Sequence, residues 1–131
     1  MIIPASADLT AYRNSFFQVD ITLQDNGGVL DITGWGALMQ VRTAPGALGS
    51  PLLAIATSGV TPNGSTITFP NAASGMVRFV IQPADFADFP DNRSWQQPSA
   101  YAYDLLMIPP STYPDVYLNG QFLLNEGVTR Q

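Results

Sequence analysis

Apolar and polar residues alternate with a period of two along most of this chain, the spacing of strands that bury one face and wet the other. The pattern is clearest from Phe16 to Gln24, where Phe17, Val19, Ile21 and Leu23 share one side and Gln18, Asp20, Thr22 and Gln24 the other. Asp25 to Gly28 consists of residues that tolerate positive φ, so a reversal is expected there, with a short return segment from Val29 to Thr33. Gly34 to Arg42 reads as the next strand, with Trp35, Ala37, Met39 and Val41 on one face. Shorter strands are expected at 52–57 and 65–69, separated by the turn Thr61-Pro62-Asn63-Gly64. The strand at 75–81 points Val77, Phe79 and Ile81 inward and Arg78 outward, and the strand at 101–108 sets Tyr101, Tyr103, Leu105 and Met107 against Ala102, Asp104 and Leu106. Asn119-Gly120 is a hairpin signal, predicting a strand stub at 116–118 and a separate last strand at 121–128. Helical spacing shows once, at Pro83 to Phe89, where proline suits a first helical position and Phe86 and Phe89 share a face.

Seven to nine short strands at roughly ten-residue spacing predict an all-β fold, an antiparallel two-sheet sandwich of immunoglobulin-like or jelly-roll-like type, with one helical turn near residues 83–89. A length of 131 residues fits one core. Residues 16–131 are therefore read as a single domain and residues 1–15 as an extended N-terminal arm, expected to lie against a neighbouring subunit because an unanchored tail rarely orders itself.

Composition narrows the chemistry. The chain has no cysteine, histidine or lysine, and its five basic residues are all arginine, against ten acidic ones. This rules out Ser-His and Cys-His nucleophile pairs, thiolate or imidazole zinc sites, Schiff bases and the P-loop lysine. A net charge of −5 repels phosphate backbones, so no nucleic acid is expected as partner. Residues 43–77 carry no charge, but prolines and glycines interrupt every candidate helix, so no membrane span is expected. The N-terminus lacks the basic start and apolar run of a secretory signal and is read as mature protein; lack of cysteine fits a reducing cytoplasm.

Carboxylates remain as candidate acid–base or metal groups. Asp85, Asp88 and Asp91 cluster about the helical turn, but without the spacing of a calcium loop; they read better as solvated groups and a turn start, and no metal or cofactor is expected. A pair of glycosidase carboxyls is permitted but not indicated. Asp104, in an otherwise apolar strand, is expected to form a cross-strand ion pair with Arg42 or Arg78. Trp35 is assigned to the core. Trp95, in a polar loop beside Arg93, suits either a partner protein or a sugar ring, or simply caps the open end of a sandwich. Tyr113 and Tyr117 are further candidate platforms for a glycan.

Three short segments resemble a group of small sandwich domains in tailed phages and prophages. They are a D-[LI]-T-G segment leading into a strand that ends in arginine (Asp31 to Arg42), a Y-x-Y-D-L segment (Tyr101 to Leu105), and a terminal G-x-[FV]-x-[LV]-x-x-x-V-T-R segment (Gly120 to Arg130). The resemblance spans about Phe16 to Arg130 and has no catalytic content. It implies an immunoglobulin-like module with a structural, non-enzymatic role in a virion assembled in the host cytoplasm, in the tail, baseplate or fibre-attachment region, with capsid decoration as a close variant. The implied partners are other virion proteins in a symmetric homo- or hetero-oligomer. The alternative is a carbohydrate-binding module using Trp95, Tyr113 and Tyr117. Arg93, Trp95, Tyr113 and Tyr117 are the candidate interaction residues under both readings.

Overall fold

The computed structural model describes residues 5–25, 28–91 and 97–126. Its strands are β1 (Ala5–Ser6), β2 (Leu9–Tyr12), β3 (Phe17–Thr22), β4 (Gln24–Asp25), β5 (Gly28–Val29), β6 (Gly36–Arg42), β7 (Leu53–Ala56), β8 (Thr66–Asn71), β9 (Met76–Ile81), β10 (Ser99–Ile108) and β11 (Asp115–Asn125). Two single 3-10 turns, Ala72–Ser74 and Pro83–Phe86, complete the elements. The fold is an all-β sandwich of a large sheet, β1/β2-β11-β10-β6-β7, over a small one, β3-β9-β8, with β4 and β5 forming a minor hairpin.

The core lies where the two inner faces meet. The large sheet contributes Met39, Val41, Ile55, Leu105, Met107, Phe122 and Leu124, and the small sheet contributes Phe17, Ile67, Val77, Phe79 and Ile81, all buried. This follows directly from alternation: β6 and β9 bury every second residue along their length. Phe86 and Phe89, delivered by the turn after β9, pack edge to face at 5.5 Å and seal one end against Phe122 and Tyr101. Arg13 fixes that plug: its guanidinium donates to the carbonyls of Phe86 at 2.5 Å and Phe89 at 3.1 Å, and to Glu126 at 2.6 Å.

Several expectations are corrected. Asn119-Gly120 makes no hairpin, because β11 runs unbroken through both residues, pairing Asn119 with Asp104 and Gly120 with Tyr103. The glycine serves a close approach instead: a Cβ there would lie 2.1 Å from the Ala7 carbonyl oxygen. Of the segment read as an N-terminal arm, residues 5–12 run along β11 of their own chain. β1 and β2 are one parallel edge in constant register with β11, Ala5 opposite Leu118 and Leu9 opposite Phe122, interrupted where Ala7 rides over Gly120. Ala7 N–H donates to Asn119 O at 2.9 Å, and Gln121 N–H donates to the Asp8 carboxylate at 3.0 Å. Leu9 and Ala11 are buried, so this edge is held by core packing as well as by hydrogen bonds. The large sheet is thus antiparallel except along that edge.

Candidate interaction surface

Among the described residues, the three segments that carry the resemblance supply turn, tether and core side chains, while their Leu38, Gln40, Arg42, Asp104 and Gln121 lie on the outward face. Asp31 accepts both the backbone N–H of Thr33 at 2.9 Å and its hydroxyl at 2.6 Å, an Asx turn that drives Ile32 fully into the core and launches β6. Those bonds hold the Asp31 carboxyl below the usual carboxylate range. In the second segment, Tyr101 donates its hydroxyl to Pro90 O and Tyr103 donates to Ala7 O at 2.6 Å. Burial, aided by the charge on Asp8, pushes the Tyr103 phenol up to about 12. In the third, Gly120 admits Ala7 and Phe122 fills the core. Asp31, Ile32, Tyr101, Tyr103 and Phe122 are thereby committed to the scaffold.

What faces outward is the solvent side of β6, β10 and β11. Register places Ala56, Leu38, Leu106 and Val116 in one row straight across four strands, each half-buried. Ile108, more exposed, extends the row on the next step. The inner neighbours Ala37, Met39, Leu105 and Met107 are buried, so these strands are apolar on both faces at this end. Beyond that row the face turns polar. Gln40 stands opposite Asp104, Asp104 opposite Asn119, and Arg42 opposite Ala102, itself opposite Gln121. Together with the loop after β6 they line a groove of about 530 Å³ floored by Ala100, Ala102 and Gly120.

The charges of this groove do not pair as expected. Arg42 turns its guanidinium onto the loop that follows its strand, donating to Gly49 O at 2.6 Å, Ala47 O at 3.2 Å and the Gln40 amide at 3.1 Å. Asp104 is one register step away, and partial loss of water from its carboxylate raises its pKa, with Arg42 opposing. Arg78 lies on the other sheet, bonded to Asp20 at 2.7 and 3.0 Å. That exposed pair lowers the Asp20 carboxyl and raises the guanidinium.

Of the residues singled out from the sequence, Arg93 and Trp95 lie outside the described residues. Tyr113 is 92% exposed on the loop between β10 and β11. Tyr117 is half-buried at the bulge in β11 opposite Leu105 and Leu106, its ring edge-on to Trp35 at 6.0 Å. Trp35 is accordingly a partly buried rim residue rather than a core one. Asp85 is not a free surface carboxylate. It accepts from Thr61 at 2.8 Å, Asn63 at 2.9 Å and the buried hydroxyl of Ser65, pinning the turn before β8 to the turn after β9. Partial burial pushes its carboxyl up, but the three donors outweigh that and hold it low. Asp88 is exposed, and among the described residues no group of three acidic side chains is placed to hold a metal ion. No helix among the described residues is long and apolar enough to cross a membrane.

Sequence reasoning missed the apolar row. Its signal was present in Leu38 and Leu106, apolar residues on the strand faces opposite to Met39 and Leu105. No family model matches the chain, and no curated protein matches it.

Proposed function

We propose that this chain is a non-enzymatic structural component of a tailed-phage virion, working through protein contacts in the tail, baseplate or fibre-attachment region. The observation that carries the protein-contact part is the row Ala56-Leu38-Leu106-Val116 on the outer face of the large sheet, extended by Ile108. An apolar row across four strands with solvent above it suits a face covered by another protein. The virion part comes from the three resembling segments. Capsid decoration is the close variant, differing in copy number rather than in chemistry.

Quantitative mass spectrometry of purified particles, normalised to the major capsid protein, tests this reading. A handful to a few dozen copies per particle supports a baseplate, tail-tip or fibre position, and hundreds support the tail tube or the capsid surface. Absence from particles overturns the virion assignment. The contact face is tested separately by Leu106→Glu, which is expected to keep the fold and lose incorporation.

A second reading, glycan binding, draws on the groove of about 530 Å³ where Arg42, Gln40, Asp104, Asn119 and Gln121 converge. Amide and charged groups over a small-residue floor suit sugar hydroxyls. Titration with bacterial surface glycans decides it: millimolar or tighter binding that disappears in Gln121→Ala supports it, and no saturable binding dismisses it.

A further inference from the structure

The sandwich is closed along one side and open along the other. On the closed side the Thr66 hydroxyl donates to the Ala56 carbonyl at 3.3 Å and the Gly59 carbonyl at 3.1 Å, tying β8 to the end of β7. β8 is further blunted by Pro70 and by a register shift between Thr68 and Asn71. On the open side β2 and β3 are, among the described residues, both outermost strands, with a cleft of about 450 Å³ between them. Tyr12 and Phe16 line it, 53% and 51% exposed.

β3 is the longer of the two open edges, six residues, Phe-Gln-Val-Asp-Ile-Thr, with no proline, glycine, lysine or bulge to discourage pairing. Its inward-facing Val19 and Ile21 stay half-exposed, while the residues opposite them on β9, Phe79 and Val77, are completely buried. The ladder also fixes which backbone groups are unused. Leu23 N–H donates to Gly75 O at 2.8 Å, in step with the β3–β9 register. Antiparallel ladders alternate bonded and outward-pointing residues, so Phe17, Val19 and Ile21 bond to β9, while Gln18, Asp20 and Thr22 direct N–H and C=O to the open edge.

We propose that β3 is a homodimer edge: two copies pair antiparallel through Gln18, Asp20 and Thr22 about a twofold axis at Val19, joining the small sheets into one of six strands. The pattern favours a second copy over an unrelated strand because it is self-complementary. With Val19 facing the second copy's Val19, Gln18 faces Asp20 and Phe17 faces Ile21, so an amide donor meets a carboxylate and the half-exposed inner side chains cover one another. Phe16 then falls opposite Thr22, placing its exposed ring in the contact. Shifting the axis to Asp20 keeps the backbone bonds but sets two carboxylates face to face. The inference stands apart from the virion reading, since a dimer in solution needs no other virion protein.

Sedimentation velocity on the full chain is the first test, with the dimer fraction expected to rise from micromolar to millimolar concentration, as suits a small interface. Gln18→Pro removes an edge-facing N–H without breaking a β9 bond, so it is expected to keep the wild-type circular dichroism and remain monomeric. The chain has no cysteine, so Val19→Cys gives a clean crosslinking readout. It should form a disulfide dimer under mild oxidation at least tenfold faster than Asp20→Cys. A wild-type chain that stays monomeric at millimolar concentration overturns the proposal, as does a dimer that persists in Gln18→Pro. Faster crosslinking through Asp20→Cys overturns the Val19 axis.

Discussion

Replacing Gly120 with alanine asks whether residues 5–12 belong to the sheet energetically as well as geometrically. The added Cβ would sit 2.1 Å from the Ala7 carbonyl oxygen and 2.8 Å from its carbon, so backbone has to move. Moving Ala7 breaks its bond to Asn119 O, the Tyr103 hydroxyl bond to Ala7 O and, if Asp8 follows, the Gln121 bond to Asp8. Each such bond is worth about 1 kcal/mol net, and a buried hydroxyl left without a partner costs about 1–3 kcal/mol. Tyr103 is only 4% exposed, so water does not readily replace the lost acceptor. The expected loss is about 3 kcal/mol, and more if the displacement reaches Leu9, whose burial contributes a further ~1.5–3 kcal/mol. Urea denaturation followed by tryptophan fluorescence reads it as a lower midpoint with an unchanged slope, and hydrogen exchange should show the amides of Ala7 and Gln121 losing protection together. Gly46→Ala is the control, since Gly46 has positive φ but open space around it and should lose only ~1–2 kcal/mol. A Gly120→Ala variant no less stable than that control would refute the close-approach argument and the integral edge with it.

Asp85→Ala should cost about 2–3 kcal/mol by urea denaturation, because the buried Ser65 hydroxyl, which still accepts from Gln82 N–H at 2.9 Å, loses the acceptor for its proton, and Thr61 and Asn63 are freed; Asp88→Ala, on an exposed neighbour, should leave the midpoint unchanged. Arg78→Ala removes an exposed ion pair and should leave the thermal midpoint within error at physiological salt. Stability should have a two-part acid profile. Asp104 has a raised folded pKa, so its contribution is present below the unfolded value and lost as pH rises through the folded one; acidification toward pH ~4 therefore first stabilises slightly. Asp85 has a lowered folded value, so its contribution is present above pH ~4 and lost as pH falls through the folded one; the exposed Asp20 and Asp31 act in the same direction, but solvent screening leaves them little weight. Chemical denaturation between pH 2 and 7 checks this, and Asp104→Asn should abolish the initial rise.

Which residues point inward was legible because strand alternation is a local property: the inner faces of β6, β9 and β10 follow from every second residue. The Phe86 and Phe89 plug was legible for the same reason, from spacing within one turn. Contacts between distant segments were not. Asn119-Gly120 has the composition of a tight reversal, and the fact that makes it a strand interior, the carbonyl of Ala7 above Gly120, lies 113 positions away. The arginine pairings failed similarly, since strand order decides that Arg78 meets Asp20 and that Arg42 falls opposite Ala102. Asp85 looked solvated because its donors come from a turn preceding β8.

This division between local and distant information bears on where function can reside. The segments most readily noticed in the sequence, Asp31 to Gly34, Tyr101 to Leu105 and Gly120 with Phe122, set an Asx turn, anchor two buried phenols and seat the N-terminal edge. Apart from Asp104, which faces the groove, their side chains are committed to turns, tethers and core, so they specify mainly the scaffold. The surfaces proposed for protein contact are instead the outer apolar row and the open edge of β3, both created by register between strands far apart in sequence. Neither surface needs a rare residue type: leucine, valine and unpaired backbone suffice. A chain without histidine, lysine or cysteine can therefore still present two distinct contact surfaces, one acting through apolar area and the other through main-chain hydrogen bonds. Two such surfaces on different sheets would let one copy pair with another through β3 while the large sheet stays free for a different protein, the geometry a repeated structural module requires.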